Sequence, residues 1–532
     1  MDHLPEALYT AADTRAADLR AASEHGLAGG VLMERAGNAA FALLRERFPR
    51  ARRLAVVCGP GNNGGDGYVV ARLAKQAGLT VTVLSPSTSA GAAAPAHPCA
   101  RGIGTSCTAQ AHPSASVVGD AAAARAAWHK AGGTVQVFSV ERLLVSDVVV
   151  DALFGTGLER PLEGAWRTAI EAMNASGRPI FAIDIPSGLH ADTGRVLGAA
   201  VRAALTLSFI GLKAGLFTGQ GREHSGLILF DDLGIPDAVF TGITPLARRI
   251  TARNLRGLLA PRVRHAHKGD AGRVLMVGGQ PGMPGAARLA GEATYRAGAG
   301  LVVLATHPAH AASIGAARPE LIAYGVNDAS AIQLLLAGAC AEHGRSTHAL
   351  AIGPGLGQGE WGRGLWQAVL AVEKPLVVDA DALNLLAAQP TFRADWVLTP
   401  HPGEAARLLG VSVAEIEADR FAAVRAIAQR YGGVCVLKGS GTLVTMQGES
   451  SIWLCDRGNP GLATGGSGDV LTGAIAALLA QGLAPIDAAR LGVWAHASAG
   501  DRAAASGERG VMASDLLAPL RDVINSLVAH AD

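Results

Sequence analysis

The sequence predicts an α/β protein made of two doubly wound domains. Its 532 residues are too many for a single hydrophobic core. In the first 235 residues, short apolar strands alternate with segments of helical period, and a second such series begins after residue 250. We therefore expect three segments, namely a first domain at 1–235, a linker at 236–250 and a second domain at 251–532.

Composition and charge exclude several classes of protein. Hydrophobic residues make up 49% of the chain and charged residues 17%, which is typical of globular domains with buried cores. The net charge is 46 − 44 = +2 and no run of Lys or Arg is present, so we expect no nucleic-acid partner. No apolar stretch is long enough to cross a bilayer, no signal peptide is recognised, and none of the six cysteines forms C-x-x-C. These features predict a cytoplasmic protein without a membrane partner or a zinc site.

The first β-loop-α-β unit carries a glycine pattern that is typical of dinucleotide binding. A strand at 54–58 runs into a G-x-G-x-x-G motif that begins at Gly59 and opens a helix. Glycines there let the backbone approach a phosphate, and the helix N-terminus favours the anion. An NAD-dependent dehydrogenase also needs an acidic residue at the end of the next strand. The strand at 80–84 ends without Asp or Glu, which disfavours that class of enzyme.

The segment at 85–134 has a different composition from its surroundings. It is rich in Ala, Ser, Pro, Gly and Cys and shows little periodicity. We expect its first half to be a surface insertion and the part around 120–130 to be a helix.

Polar side chains follow three strands of the first domain. The loop at 62–66 reads Asn-Asn-Gly-Gly-Asp, Asp151 ends one strand, and Asp184 ends another shortly before Ser187. Taken singly, such residues could be tight-turn residues or a helix cap. The carboxyl ends of parallel strands meet at one edge of the sheet, which is where ligands bind. Three polar loop ends at that edge therefore predict a ligand site.

Four motifs of the first domain together resemble the NAD(P)H-hydrate epimerase family. They are Leu-Met-Glu-Arg-Ala-Gly at 32–37, the glycine loop at 59–67, Asp-Ala-Leu-Phe-Gly-Thr-Gly at 151–157 and Ala-Ile-Asp-Ile-Pro-Ser-Gly at 182–188. The resemblance covers essentially the whole first domain. It implies a Rossmann-like fold, interconversion of the two epimers of hydrated NADH and NADPH, and a bound potassium ion.

The epimerase resemblance assigns candidate residues position by position. The implied potassium ligands, an all-oxygen set suited to a hard cation, are Asn63, Asp151 and Ser187. The implied substrate contacts are Asn62, Asn63, Gly64, Gly65, Asp66, Gly155, Thr156, Gly157, Leu158, Glu159, Arg160, Pro161 and Asp184. Asp151 or Asp184 could transfer the proton, and the sequence leaves that choice open. The insertion at 85–134 departs from the compact family pattern.

A second glycine-rich loop opens an apolar helix in the second domain. The chain has no G-x-x-x-x-G-K-[ST] motif, so P-loop chemistry is not expected. Instead, Asn-Pro-Gly-Leu-Ala-Thr-Gly-Gly-Ser-Gly-Asp at 459–469 leads into the helix, and its amides can cradle phosphate. Asp469 could be only a carboxylate at a helix N-terminus. The glycines before it favour a base that takes a proton from a substrate hydroxyl.

Other loops that follow strands agree with a nucleotide site. Lys438 is one of only six lysines and begins a turn at 438–442, and His401 lies in a Pro-bounded loop. A glycine turn lies at 353–357, and the segment 379–384 carries two carboxylates and an amide. Each could be a tight turn or a cap, but their common position after strands predicts a single site.

With His-Lys-Gly-Asp-Ala-Gly at 267–272, these motifs resemble the ADP- or ATP-dependent NAD(P)H-hydrate dehydratase family over about residues 265–515. The resemblance implies a ribokinase-like fold, phosphorylation of the ring hydroxyl followed by loss of phosphate, and Mg²⁺ with the ADP or ATP. The implied contacts with the hydrated nucleotide are Ala287, Gly357, His401 and Asp469. The implied contacts with ADP or ATP are Lys438, Gly439, Ser440, Gly441, Thr442 and Gly468.

The two resemblances predict one bifunctional repair enzyme, since an epimerase would supply the dehydratase with the S hydrate it uses. The alternative is a ribokinase-like small-alcohol kinase fused to an inactive Rossmann-like dimerisation module, which leaves the polar loops of the first domain unexplained. The resemblance also suggests a homo-oligomer. The choice between ADP and ATP, and between the NADH and NADPH hydrates, stays open at this point.

Overall fold

The computed structural model describes residues 3–86, 119–336 and 347–528. They form two compact units, which we call unit 1 and unit 2. Unit 1 takes the described residues within Tyr9–Leu216 and Gln220–Ile243. Unit 2 takes residues 3–8, Phe217–Gly219 and 244–528. Most of the first half of the expected insertion, at 87–118, lies outside the described residues.

The observed boundaries differ from the expected linker at 236–250. The units divide between Ile243 and Thr244, and the expected linker contains a 3₁₀ helix, Asp237–Phe240, and a strand, Ala247–Arg249. Residues 3–8 and 217–219 were expected in the first domain but belong to unit 2. The prolines of this region and the three-residue length of the strand hide it from any analysis of periodicity.

Unit 1 is a parallel sheet with helices on both faces. In chain order its elements are α1 (Ala11–His25), α2 (Gly29–Arg47), β2 (Arg53–Cys58), α3 (Asn62–Gln76), β3 (Thr80–Ser85), α4 (Asp120–Lys130), β4 (Val135–Val137), α5 (Val140–Leu144), β5 (Val148–Ala152), α6 (Gly164–Ala175), β6 (Ile180–Ile183), β7 (Leu205–Phe209), β8 (Leu212–Lys213), α7 (Gly221–Ser225) and β9 (Leu227–Asp231), with a 3₁₀ helix at Ala214–Leu216. The helix expected around 120–130 is confirmed as α4.

The strand order of unit 1 creates a crevice between β2 and β5. The order is β4-β3-β2-β5-β6-β7-β9, and all six pairings are parallel. Strands β3 and β4 extend the sheet on one side of β2, and the later strands extend it on the other. A doubly wound sheet binds ligands at this reversal, outside the carboxyl ends of the strands. Val57 pairs with Asp151 there, so both loops leave the sheet at the same edge.

Unit 2 is a larger mixed sheet covered by helices. It begins with β1 (Ala7–Tyr9) and continues with β10 (Ala247–Arg249), α8 (Ala252–Leu255), β11 (Arg273–Val277), α9 (Pro284–Arg296), β12 (Leu301–Thr306), α10 (Pro308–Ala317), β13 (Ile322–Gly325), α11 (Ala329–Leu336), β14 (Ala349–Ile352), α12 (Glu360–Leu370), β15 (Leu376–Val378), α13 (Ala380–Ala388), β16 (Trp396–Leu398), α14 (Pro402–Leu409), α15 (Val413–Ala418), α16 (Arg420–Tyr431), β17 (Val434–Leu437), β18 (Thr442–Met446), β19 (Ile452–Cys455), α17 (Ser467–Ala480), α18 (Pro485–Ala503) and α19 (Leu517–Asn525), with 3₁₀ helices at Pro460–Leu462 and Ala513–Leu516.

The strands of unit 2 follow the order β13-β12-β11-β14-β15-β16-β17-β18-β19-β10-β1. Pairings from β13 to β17 are parallel, and β17-β18-β19 is an antiparallel meander. The order reverses between β11 and β14, which again marks a ligand-binding edge. Two doubly wound α/β units confirm the predicted fold class.

Burial explains why these segments form strands and helices. All five residues of β5 are buried, as expected for a strand covered on both faces. Val148 and Val150 join one apolar cluster while Val149 joins another, so the strand packs against both helical layers. In unit 2, every residue of α17 from Val470 to Ala480 is buried, which suits a helix that is apolar on all sides. Among the described residues, no helix combines the length and apolarity that crossing a bilayer requires.

Candidate active sites

The glycine loop after β2 packs directly against the loop after β5. A Cβ on Gly59 would lie 1.8 Å from the carbonyl oxygen of Leu153, and one on Gly64 would lie 2.0 Å from the carbonyl oxygen of Gly59. Both positions therefore exclude any side chain. Packing against the loop after β5 requires Gly59, and packing within the glycine loop requires Gly64. The G-x-G-x-x-G motif is therefore not by itself proof of a bound phosphate.

Asp151 holds the loop that follows β6. Its Oδ1 accepts from Ser187 Oγ at 2.6 Å, and its Oδ2 accepts from the backbone N–H of Ser187 at 2.8 Å. Ser187 Oγ in turn accepts from the N–H of Phe154 at 2.8 Å. Burial raises the pKa of Asp151 to about 6, although the hydrogen bonds from Ser187 oppose that shift. Two of the three expected potassium ligands are thus in direct contact.

Asn63 has a buried side-chain amide without a partner. Neither its Oδ1 nor its Nδ2 makes a hydrogen bond within the part of the chain that the structure describes. Its Cβ lies 3.4 Å from the position of a Cβ on Gly155, and Asp184 Oδ2 lies 3.7 Å from that same position. A buried unpaired amide costs about 1–3 kcal/mol. Such a group indicates that a ligand completes the site.

Asp184 is paired with a buried lysine that the sequence analysis did not list. Its Oδ1 accepts from Lys213 Nζ and from the N–H of Phe209, the latter at 3.2 Å. Lys213 is 1% exposed, and its Nζ also donates to the carbonyl of Phe209 at 2.8 Å and to Ser208 Oγ at 3.3 Å. Asp184 has φ +65°, a left-handed value that is uncommon outside glycine but that aspartate tolerates. The scarcity of lysine was the only signal in the sequence that could have indicated Lys213.

Two further carboxylates lie in the field of this ion pair. Burial raises the pKa of Asp66 well above its usual value, and the charges of Asp184 and Asp18 add to the shift. Burial also raises the pKa of Asp18 to about 6, with Lys213 lowering it and Asp184 raising it. Asp18 lies on α1 and was not predicted. Perturbed acidic groups around one lysine are typical of a site for proton transfer.

The expected substrate segment at 155–161 is only partly brought to this cluster. Gly155 faces Asn63 and Asp184, as given above. Within the described residues, no hydrogen bond or ion pair connects Glu159 or Arg160 to the cluster. No group of three His, Cys, Asp or Glu side chains in the described residues is arranged to hold a metal ion. The potential metal ligands that Asp151, Ser187 and Asn63 bring to this edge are carboxylate, hydroxyl and amide oxygens.

In unit 2, a buried carboxylate connects three elements. Asp379 follows β15, and its Oδ1 accepts from Lys438 Nζ and Thr399 Oγ1, both at 2.8 Å. Its Oδ2 accepts from Thr472 Oγ1 of α17 at 2.8 Å. Burial alone would raise the pKa of Asp379, but the Lys438 charge and these hydrogen bonds hold it below its usual value. Asp379 therefore fixes the start of α17 against the ends of β15, β16 and β17.

Glu404 is a second carboxylate close to Lys438. Its Oε2 lies 3.8 Å from Lys438 Nζ and accepts from the N–H of His401 at 2.8 Å. Burial raises the pKa of Glu404, and Lys438 opposes the shift. Burial would lower the pKa of Lys438, but Asp379 and Glu404 raise it above its usual value. Burial and the charges of Lys438 and Arg407 lower the pKa of His401, so its imidazole is neutral at pH 7.

Asp469 lies in the first turn of α17, beside this cluster. Burial, followed by the charge of Asp379, raises its pKa to about 7, while Lys438 lowers it. A carboxylate that is half ionised at neutral pH suits general-base catalysis. Gly466 before it has φ +90°, and a Cβ on Gly468 would lie 3.4 Å from Lys438 Nζ. The glycines thus let the backbone pass close to the ion pair.

The loop after β14 reaches the same edge. Asp381 Oδ2 accepts from the N–H of Gly357 at 2.8 Å, and a Cβ on Gly357 would lie 1.9 Å from Gln280 Oε1. Ala380, between the two aspartates of this segment, has φ +48°. Asp379 and Asp381, on either side of it, bond to different partners, which the sequence could not reveal. Ala287 is fully buried on α9, and its contact with a substrate stays a prediction.

The turn between β17 and β18 presents unpaired amides. Gly439 has φ +135° and Gly441 has φ +69°. No described residue accepts a hydrogen bond from the backbone N–H of Gly439, Ser440 or Gly441. Consecutive free amides form a concave site for an anion. The turn therefore has the geometry for binding a phosphate next to Lys438.

Two α/β units, each with lysine-paired carboxylates at the carboxyl ends of its parallel strands, define a two-domain α/β enzyme. A family model described as NAD(P)H-hydrate dehydratase matches residues 274–521, and one described as YjeF-related protein N-terminus matches residues 29–97 and 86–215. The chain belongs to the family of bifunctional NAD(P)H-hydrate repair enzymes.

Full-length relatives carry this assignment. A bifunctional NAD(P)H-hydrate repair enzyme of Escherichia coli is 43% identical over 523 residues, which is 98% of this chain and 95% of the relative. One from Leishmania major is 37% identical over 551 residues, 98% of this chain and 94% of the relative. A solved ADP/ATP-dependent NAD(P)H-hydrate dehydratase from Bacillus subtilis, co-crystallized with ATP/Mg²⁺, is 32% identical, with 52% of this chain and 97% of that chain covered and a TM-score of 0.46.

Proposed function

We propose that this chain repairs hydrated NADH and NADPH in two steps. Unit 1 interconverts the R and S hydrates, and unit 2 dehydrates the S hydrate at the expense of ADP or ATP. The observation that carries the proposal is that one chain holds two separate carboxylate–lysine pairs, Asp184–Lys213 in unit 1 and Asp379–Lys438 in unit 2. A small-alcohol kinase fused to an inactive module would require only the second pair.

Asp184 is our choice for the group that transfers a proton in epimerisation. The hydroxyl-bearing carbon of the hydrate adjoins the ring nitrogen, so its configuration is lost when the bond between that carbon and nitrogen opens. Asp184 takes the hydroxyl proton, the bond to nitrogen breaks, and its electron pair moves onto the nitrogen. Closure on the other face of the resulting aldehyde returns the proton and gives the second epimer. Both oxygens of Asp151 already bind Ser187, which favours a positioning role for Asp151.

Asp469 is our choice for the base in dehydration. It takes the proton of the ring hydroxyl, whose oxygen then bonds to the terminal phosphorus of ADP or ATP as AMP or ADP leaves. The C–O bond breaks and phosphate departs with that oxygen, the neighbouring ring carbon loses a proton to water, and the electrons of that C–H bond form the ring double bond. Lys438 and the amides of residues 439–441 bind the nucleotide phosphates. Magnesium bound with the nucleotide would neutralise part of the phosphate charge.

Potassium is the cofactor that the unit 1 oxygens fit best. The orphaned amide of Asn63 offers a buried oxygen, and Asp151 and Ser187 add oxygens of the kind that hard cations prefer. We expect KCl to raise the melting temperature above that in equal tetramethylammonium chloride. Asn63→Ala should remove this difference, whereas Asn62→Ala, which changes the exposed neighbouring amide, should keep it. An equal shift in Asn63→Ala would exclude Asn63 as a ligand.

The decisive assay is recovery of NADH absorbance at about 340 nm from a mixture of the hydrate epimers, with ADP or ATP and magnesium. Complete recovery is expected, because unit 1 converts the R hydrate as unit 2 consumes the S hydrate. Recovery that stops at the S fraction would contradict the epimerase function. Absence of recovery with either nucleotide would contradict the dehydratase function and favour the small-alcohol kinase. The nucleotide that works identifies the cosubstrate.

A further inference from the structure

We infer that Phe217–Gly219, which lies outside both family-model matches, positions the turn at 438–442 for nucleotide binding, with Thr218 as the central positioning residue. The inference rests on the proposed function, since it takes that turn to bind ADP or ATP. It extends that function by adding to the nucleotide site of unit 2 a segment that neither family match contains.

Phe217–Gly219 donates hydrogen bonds to the carbonyl groups of the turn. The N–H of Gly219 donates to the carbonyl of Ser440 at 3.0 Å. Thr218 Oγ1 donates toward the carbonyls of Ser440 and Gly441, at 3.4 and 3.3 Å. A Cβ on Gly441 would lie 2.1 Å from the carbonyl oxygen of Phe217. The segment therefore contacts the turn along its length, with no room for a larger residue at Gly441.

Arg420 bonds both to this segment and to the carbonyl of Lys438, and we call Phe217–Gly219 and Arg420 together the support. Its guanidinium is 1% exposed, donates to Thr218 Oγ1 at 3.2 Å and donates to the carbonyls of Lys438 at 3.1 Å and Leu437 at 3.4 Å. A Cβ on Gly439 would lie 2.9 Å from the same guanidinium. Glu417 pairs with Arg420 at 2.8 Å, so the buried charge is compensated.

This arrangement determines which way the turn faces. The carbonyl of Lys438 shares a peptide plane with the N–H of Gly439, and the carbonyl of Ser440 shares one with the N–H of Gly441. Because both carbonyls bond to the support, these two amides are fixed on the other side of the turn. The amides of Gly439 and Gly441, together with that of Ser440 between them, bond to no described residue. Fixing the peptide planes before the nucleotide arrives reduces the entropy cost of binding it.

Phe217 itself is anchored in unit 2. It is 1% exposed, and the guanidinium of Arg249 lies 5.4 Å from its ring centroid. Arg249 is buried and ion-paired with Asp456 at 2.6 Å, and it donates to the carbonyl of Leu4 at 3.0 Å. The support is thus part of the core of unit 2, which explains why residues 3–8 and 217–219 group with it.

The test is Thr218→Val in the full chain, with nucleotide kinetics measured at saturating S hydrate. Valine keeps the shape but leaves a buried guanidinium N–H of Arg420 without its acceptor, so we expect the KM for ADP or ATP to rise about five- to tenfold. The kcat, the KM for the hydrate and the rate of epimerisation should stay within about twofold of wild type. Thr218→Ser restores the hydroxyl and should restore the nucleotide KM. Thr168→Val, the same change at an exposed position on α6, is the matched control and should leave every value unchanged.

An unchanged nucleotide KM in Thr218→Val, with wild-type activity intact, would overturn this inference and leave the proposed function standing. A parallel change of kcat and both KM values, with a lower melting temperature that Thr218→Ser does not restore, would assign Thr218 a purely structural role and also overturn it. A wild-type chain without nucleotide-dependent dehydration would contradict the proposed function itself.

Discussion

Asp469→Asn is expected to lower kcat for dehydration of the S hydrate by about 10²- to 10⁴-fold, the range that general-base catalysis supplies. The amide keeps the size of the side chain at the start of α17 but cannot accept the hydroxyl proton. Binding of ADP or ATP should persist, because Lys438 and the amides of 439–441 are untouched. Asp522→Asn, an exposed carboxylate on α19, is the control and should retain full activity.

The pH dependence gives an independent check on Asp469. Burial and the charge of Asp379 raise its pKa to about 7, and the base works only when ionised. The kcat/KM for dehydration should therefore rise between pH 6 and about 8 and then level off. This rising limb should be absent from the residual activity of Asp469→Asn. A variant with wild-type kcat, or with an unchanged pH profile, would show that another group takes the proton.

Much of the fold could be predicted from the sequence because parallel strands are buried on both faces. The strand–helix series expected after residue 250 is confirmed, and β11, β14, β16 and β17 are among its strands. A continuous run of Val, Ile and Leu is the direct consequence of such burial. The strand within the expected linker could not be predicted for the opposite reason, since β10 is only three residues long and pairs with chain segments far away in sequence.

The candidate sites were predictable only where residues follow strands. Asp151, Asp184, His401 and Lys438 could be found because each lies at or shortly after the carboxyl end of a strand, where ligands of doubly wound sheets bind. Lys213 was not among the expected site residues, and Asp379 was expected only as one carboxylate of the segment 379–384, without a role of its own. Lys213 pairs with Asp184, and Asp379 pairs with Lys438. Both pairs are buried and lie beside a residue with a left-handed backbone, Asp184 in one case and Ala380 in the other, and neither property is visible in a single sequence. The cytoplasmic location and the homo-oligomer stay predictions.

Asp18 was missed for a different reason. It lies within α1, a helix whose periodicity indicates only a surface helix, and its carboxylate meets the others through tertiary packing. The position of a polar residue along a helix does not indicate which loop of the folded protein its side chain will contact. Unit 1 therefore gathers carboxylates from α1, α3 and the loop after β6 around one lysine on β8, and only two of those three carboxylates could be expected from motifs.

Asp184→Asn is expected to lower the rate of epimerisation by about 10²- to 10⁴-fold and to leave dehydration of purified S hydrate unchanged. Asparagine fits this position because, like aspartate, it tolerates the left-handed backbone at φ +65°. It can still accept from the ammonium of Lys213 through its amide oxygen, but it cannot take up the hydroxyl proton. With a mixture of epimers, recovery of NADH should then stop near the S fraction.

The control for Asp184→Asn is Asp237→Asn, an exposed carboxylate in the 3₁₀ helix of unit 1. It makes the same change of charge and should recover NADH completely. If Asp184→Asn epimerises at the wild-type rate, the proton transfer would have to be assigned to Asp151, the other candidate. Asp151 is less suited to that reaction, because an ionised Asp151 is held by two donors from Ser187 and is fully enclosed. A loss in both variants would indicate sensitivity to net charge and would contradict the assignment of Asp184 as the base.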